Sequence, residues 1–320
     1  MAASTSMFGG RPGVGVTISS SSSSGADPAA AARHAEALGF DVVTVHRDVL
    51  HGPPPSLETW TLLAWLAAHT TRVRFAPNVL ALPNRHPAVV AKMAETLDRL
   101  SGGRLILALG GGAAVNHEAF GAFGLARRSG RETVAATEEA IEIIRGLWGQ
   151  PRFSYAGSHF TTSGADLQPR PAHPIPIWLG AFGLRMLELV GRRADGWLAS
   201  LGLLEPEQAY RDLDRIRAAA SRAGRDPEAL TYGFNVGVLV KEGSASATTR
   251  GLVAGGPEEV AGQLAGFVRG GFSFLNLSPA ADGFEQRERL AQEVLPILRA
   301  GRDALIPRGR NVADRGTQPS

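Results

Sequence analysis

The sequence predicts a (β/α)8 TIM barrel, and three observations carry that prediction. Eight short apolar runs punctuate the chain, each followed by a segment with helical spacing. Most of these runs are apolar on both faces instead of alternating, the pattern of parallel strands covered by helices. The whole fits in 320 residues, the span of one barrel, whereas an open doubly wound sheet normally uses fewer units.

Strand one is Val14–Ile18, and the six serines that follow it, Ser19 to Ser24, fall in a strand-to-helix loop. Asp27 as cap and Pro28 in the first turn open a helix that ends at Gly39. Strand two, Asp41–Val45, leads through the polar and proline-rich loop His46 to Pro55 into a helix over Leu57–His69 that is apolar on nearly every side. A helix wetted on one face should show a polar stripe, so its outer face is expected to meet a second subunit. Strand three, Val73–Val79, precedes an amphipathic helix at Ala88–Leu100 that stops at Ser101-Gly102-Gly103. Strand four, Leu105–Leu109, runs straight into Gly110, Gly111 and Gly112 and then Asn116 and His117. A helix follows at Glu132–Trp148, and the short, aromatic, turn-rich segment from Gln150 to Pro174 reads as a hairpin-like insertion between strands four and five. Strands five to eight are Ile175–Leu179, Gly196–Ala199, Thr231–Val240 and Phe272–Leu277, with helices after Gly183, Pro206 and Pro257 and a last one over Phe284–Arg299. Residues 1–12 are expected to be a flexible leader, 13–305 the barrel and 306–320 a flexible tail.

Composition removes several function classes. With no cysteine there are no disulfides, thiolate nucleophiles or cysteine-bound metals. No apolar stretch is long enough for a membrane span and no secretory signal opens the chain, so a soluble cytoplasmic protein is expected. The pI near 9.8 reflects arginine replacing lysine: the formal charge is only +3, no long basic run exists, and nucleic acid is not an expected partner.

A barrel binds its ligand at the carboxyl ends of its strands. The candidates there are Ser19 onward, His46-Arg47-Asp48, Asn78-Val79, Gly110 to Asn116, Gly180 to Gly183, Ser200, Asn235 and Ser278. Schiff-base chemistry does not fit, because Lys92 lies in a helix and Lys241 beyond strand seven. A His-x-His metal pair is absent from strand one, and His34, His69, His159 and His173 are scattered. Three glycines at a strand end have two readings, a turn that needs positive φ or a close ligand approach to bare backbone. With a second glycine loop after strand five, the site is rich in backbone N–H and poor in nucleophiles. That suits a cofactor with its own reactivity, held by an anionic group.

The chain resembles the bacterial luciferase-like family of barrels, which use reduced flavin or the deazaflavin coenzyme F420. The resemblance is carried by Gly39-Phe40-Asp41, Asn84-Arg85-His86-Pro87, Leu97 to Leu105, the glycine stretch, Pro174 to Gly183, Ala194-Asp195-Gly196-Trp197 and Gly256-Pro257-Glu258-Glu259, in this order and spacing. It implies an oxidoreductase: a monooxygenase using reduced FMN and oxygen on a small organic substrate, or alternatively an F420-dependent hydride-transfer enzyme. A flavin- or ligand-binding barrel without turnover is a lesser alternative. It also implies a non-prolyl cis peptide at Asn78-Val79, cofactor contacts from Asn78, Val79, Gly110, Gly111, Gly112, Asn116, Gly180, Ala181, Phe182 and Gly183, and, for a monooxygenase, a separate flavin reductase as partner; the missing metal-ligand patterns leave no metal expected, and the apolar Leu57–His69 helix predicts a homodimer. Family members commonly carry Asp-His after strand two, where this chain has His46-Arg47-Asp48. His46 and Asp48 are therefore the catalytic candidates, with Arg47, His51 and Trp197 assigned to substrate. Position 113 is Ala where some F420-using relatives have a carboxylate, which points away from sugar-phosphate dehydrogenases.

Overall fold

A computed structural model describes residues 7–300 other than 24, 47–54, 113–116, 243–246, 250 and 282. Arg47, Asp48, His51, Asn116, leader residues 1–6 and the tail 306–320 lie outside the described residues.

The chain runs β1 (Gly13–Ile18), α1 (Pro28–Ala37), β2 (Val42–His46), α2 (Thr59–Ala68), β3 (Arg74–Asn78), β4 (Leu80–Ala81), α3 (Pro87–Leu100) and β5 (Leu107–Gly110). It continues through α4 (His117–Ala122), α5 (Gly130–Gly149), the hairpin β6 (Phe153–Ala156) and β7 (Thr161–Ala165), β8 (Ile177–Gly180), α6 (Leu184–Arg193), β9 (Gly196–Ser200) and α7 (Pro206–Arg222). Last come β10 (Thr231–Val240), β11 (Ala247–Thr249), β12 (Leu252–Gly255), α8 (Pro257–Arg269), β13 (Phe274–Pro279), α9 (Gly283–Arg289) and α10 (Leu295–Ala300).

The expected barrel and its hairpin insertion are both present. Its strands pair in parallel in the order β3-β2-β1-β13-β10-β9-β8-β5-β4. The third barrel strand comes in two pieces: β3 pairs with β2, and after Asn78-Val79 the chain resumes as β4 against β5, which joins the two ends of the ring. The peptide between Asn78 and Val79 is cis, as the resemblance implies.

Strand alternation sorts side chains into two cores. Val42, Ala76, Ile106, Ala108, Trp178, Leu198 and Phe274 fill the barrel, while Val43, Val45, Leu275, Leu277 and their equivalents pack outward under the helices. Phe8 completes the inner core by stacking on Phe274, with ring centroids 5.5 Å apart and ring planes nearly parallel. Arg11 pairs with Asp41, whose carboxylate also accepts from the Val14 N–H at 2.8 Å. Met7 to Pro12 are thus the floor of the barrel and not part of a flexible leader, because an aromatic ring closes the amino-terminal mouth.

Other differences from the sequence reading have local causes. The fifth barrel strand begins at Ile177 and not Ile175, because Pro174 and Pro176 have no N–H to pair. Phe272 precedes the last strand and instead stacks on Phe234 at 4.5 Å. The final helix is interrupted by a π turn at Leu290–Val294, which ends two residues before Pro296, whose ring cannot sit under a regular i−4 carbonyl. The β11–β12 hairpin extends the outer half of β10, and nothing in its small, polar first strand announces it.

Helix α2 buries Trp60, Leu62, Leu63, Leu66 and Ala67. Its other face, Thr61, Ala64, Trp65 and Ala68, is open, with Trp65 55% exposed. This is the face the sequence assigns to a second subunit. No helix among the described residues is long and apolar enough to cross a membrane.

Candidate active site

The strand ends bring the predicted positions together. His46 pairs in register with Asn78, Ala81 with Gly110, and Gly110 with Gly180. Val79, directly after the cis bond, leans across both glycines: a Cβ on Gly110 would lie 2.6 Å from its Cγ2, and one on Gly180 would lie 3.0 Å from its Cγ1. Only glycine therefore lets the two strand ends close beneath Val79, which leaves a floor of backbone.

The other glycines divide by cause. A Cβ on Gly111 would meet Thr133 Cγ2 at 2.4 Å, and one on Gly112, at φ +91°, would meet Phe120 and Pro83 at 2.9 Å. Both are demanded by packing behind the loop. Gly183 differs: its φ is +80° and nothing lies within 4 Å of where its Cβ would be. It opens α6 with no side-chain cap, so the first N–H groups of that helix remain available to an anion. Ala181 is buried and Phe182 half-exposed between the two ends of this loop.

Trp197 does not reach the site. It is fully buried on the helix side of β9, stacks near Phe272, and donates its indole N–H to the Ala181 carbonyl at 3.1 Å. The substrate role assigned to it fails because strand alternation turns position 197 outward. It supports the 180–183 loop from behind. His46 is exposed at the end of β2, and its carbonyl accepts from Ser20 Oγ at 3.1 Å. On the rim, Glu58 caps α2 through the N–H groups of Trp60 and Thr61 and pairs with Arg85. Burial works against its charge, yet these donors hold its carboxyl below the ordinary value.

Beneath the floor lies a polar layer that sequence reasoning found only in part. Asn235 donates through Nδ2 to the Ala199 carbonyl at 3.0 Å and to Ser200 Oγ at 3.1 Å. Its Oδ1 accepts from Asn78 Nδ2 at 2.8 Å and from Asn276 Nδ2 at 2.9 Å. Asn276 is wholly buried, donates also to Thr17 Oγ1 at 3.0 Å, and accepts from Thr44 Oγ1 at 3.1 Å. Thr17 closes the chain with Ser278 Oγ at 2.8 Å. Asn235, Ser200 and Ser278 are among the candidates the sequence offers, although Asn235 lies mid-strand in β10. Asn276, Thr17 and Thr44 were missed, and the signal for Asn276 was a lone amide inside the apolar run Phe274-Leu275-Asn276-Leu277. The site thus combines a backbone floor, amides and hydroxyls below it, an uncapped helix end on one side and His46 on the other. It can seat a flat ring with an anionic tail and leave the reactivity to that ring.

Comparison with known proteins identifies the family. The model of the luciferase-like monooxygenase family matches residues 11–252. An F420-dependent glucose-6-phosphate dehydrogenase of Beutenbergia cavernae is 30% identical over 315 residues, covering 83% of this chain and 91% of its own. A phthiodiolone/phenolphthiodiolone dimycocerosates ketoreductase of Mycobacterium tuberculosis is 36% identical over 187 residues, 57% of this chain and 47% of its own. Among solved structures, an F420-dependent secondary alcohol dehydrogenase in complex with an F420–acetone adduct superposes with a TM-score of 0.81 at 20% identity, covering 90% of this chain and 99% of that one.

Proposed function

This chain belongs to the luciferase-like monooxygenase family, and from that premise we propose that it is an F420-dependent oxidoreductase acting on an oxygen-bearing carbon of a small alcohol or carbonyl compound. The observation that carries a ring cofactor is the register-paired Gly110 and Gly180 under Val79, with the uncapped start of α6 beside them. The choice of F420 over reduced FMN, which the sequence reading favoured, rests on relatives. A relative matched along 91% of its length is an F420-dependent glucose-6-phosphate dehydrogenase, and a second, matched over 47% of its length, is a ketoreductase.

When bound, the deazaflavin supplies a carbon that accepts or returns a hydride. The chain's own work is to seat the ring on the floor, hold its phosphate at Gly183 and the first turn of α6, and move one proton. His46 suits the proton transfer, since it stands in register beside Asn78, is exposed, and carries an imidazole, the side chain most often used for general acid–base work. In alcohol oxidation it takes the hydroxyl proton as the hydride leaves carbon. In carbonyl reduction it returns that proton. This reading dispenses with oxygen and with a separate flavin reductase, and it keeps the homodimer through the open face of α2.

Titration with F420 and with FMN, followed by fluorescence, tests it. Saturable F420 binding and anaerobic bleaching of the deazaflavin by a panel of secondary alcohols and sugar phosphates are expected. Binding of FMN alone, with oxygen consumption in the presence of a reductase, would overturn it.

A further inference from the structure

We infer that Asn235 is a positioning residue that makes Asn78 present its side-chain oxygen to the site, so that the bound molecule must meet it with an N–H or O–H donor. The inference rests on the reading above only for what that molecule is.

The hydrogen-bond directions are set first at a backbone carbonyl. The Ala199 oxygen can only accept, so the atom of Asn235 that faces it at 3.0 Å is the amide nitrogen, Nδ2. Its other side-chain atom, Oδ1, then lies 2.8 Å from Asn78 and 2.9 Å from Asn276, and both neighbours must turn their amide nitrogens toward it. Asn276 can do so because its own oxygen is taken by the Thr44 hydroxyl and its second amide proton by Thr17. Each side-chain polar atom of Asn235 and Asn276 is used, and the direction of each bond follows from the first.

Asn78 is the end of that chain. Its Nδ2 is committed to Asn235, and its Oδ1 has no partner among the described residues. Asn78 is 9% exposed, and Oδ1 is not among the buried atoms cut off from solvent. The oxygen therefore opens at the carboxyl end of β3, beside His46 in register and next to Val79 over the glycine floor. A flipped Asn78 amide would place two oxygens 2.8 Å apart, and a flipped Asn235 would likewise set two oxygens against each other at Ala199. The acceptor is held by the network without any ligand.

The test has two readouts. In the unliganded protein, the side-chain amide protons of Asn78 should exchange slowly by NMR, and Asn235→Leu should release them. The same substitution should weaken F420 binding about tenfold or more, the loss expected when one buried hydrogen bond goes unmade. Asn235→Asp, which has nearly the same shape, separates orientation from packing. Its protonated carboxyl can donate to Ala199 and still accept from Asn78 and Asn276, so affinity should approach that of the native protein at low pH. It should fall as pH rises through the carboxyl's pKa, with the native protein as reference at each pH. If Asn235→Leu does not fold, this pH series decides alone. Native affinity in Asn235→Leu, or a flat pH profile in Asn235→Asp, would overturn the inference. Protected Asn78 protons in a protein that binds no F420 would instead sink the cofactor assignment and leave the orientation standing.

Discussion

Val79 and Gly110 compete for one space: a Cβ on Gly110 would lie 2.6 Å from the Val79 Cγ2 methyl. Gly110→Ala should therefore destabilise the barrel by about 1–3 kcal/mol, the usual cost of overpacking. Trimming the partner removes the clash, so the Val79→Ala/Gly110→Ala double variant should cost less than the sum of its singles. Urea unfolding of the four proteins measures this, and additive costs would show that the two residues do not meet.

Gly183 and Gly111 should respond differently to alanine. At Gly183 nothing is in the way, and only the backbone is strained: φ +80° with ψ 146° is a region almost reserved for glycine, at a cost of roughly 1–3 kcal/mol for another residue. Its larger effect should be on F420 affinity, through the first turn of α6. At Gly111 the new Cβ would meet Thr133, so stability and affinity should fall together. Unchanged F420 binding in Gly183→Ala would remove that helix end from the site.

Trp197→Phe tests whether this residue acts from behind the loop. Removing the indole N–H leaves the Ala181 carbonyl without its donor, at a cost of about 1–3 kcal/mol. F420 affinity should weaken through the 180–183 loop. A change confined to the substrate KM, with stability and cofactor affinity intact, would restore the direct substrate contact that the fold denies.

Glu36 makes the fold acid-sensitive. Burial is the largest single influence and opposes its charge, but the backbone N–H groups of Thr71, Arg72 and Val73 and the Thr71 hydroxyl outweigh it, so its carboxyl titrates below the ordinary 4.5. A depressed folded-state value stabilises the protein above the unfolded pKa. That stability is lost as pH falls from about 4.5 through the folded value. Glu36→Gln should cost about 1–3 kcal/mol at neutral pH and flatten this part of the stability–pH curve. An equally steep curve in the variant would place the acid sensitivity elsewhere.

Trp65 is exposed on the apolar outer face of α2. Sedimentation should report a dimer for the native chain and a monomer for Trp65→Glu, with the barrel still folded by circular dichroism. A native monomer at micromolar concentration would refute the shared interface.

The barrel was legible in the sequence because its evidence is local: eight apolar runs, helix caps such as Asp27-Pro28, and glycines at the ends of the fourth and fifth barrel strands. Register and direction were not. Which face of its strand Trp197 occupies depends on alternation counted from partners far along the chain, and the fold turns it into the core. Phe8 looks like part of a loose leader until Phe274, from the last strand, supplies the ring it stacks on. The glycines were recognised, but their causes were not, since Thr133 and Val79 crowd Gly111 and Gly110 from other elements. The Asn78–Asn235–Asn276 network joins strands three, seven and eight, and no spacing encodes it. The sequence by itself determined the fold and the family and pointed to the carboxyl ends of the strands as the candidate site, because periodicity and turn residues act over a few positions. Only the tertiary structure decided which side chains face that end and which way their amides point, because those choices are made by hydrogen-bond partners brought together by barrel closure.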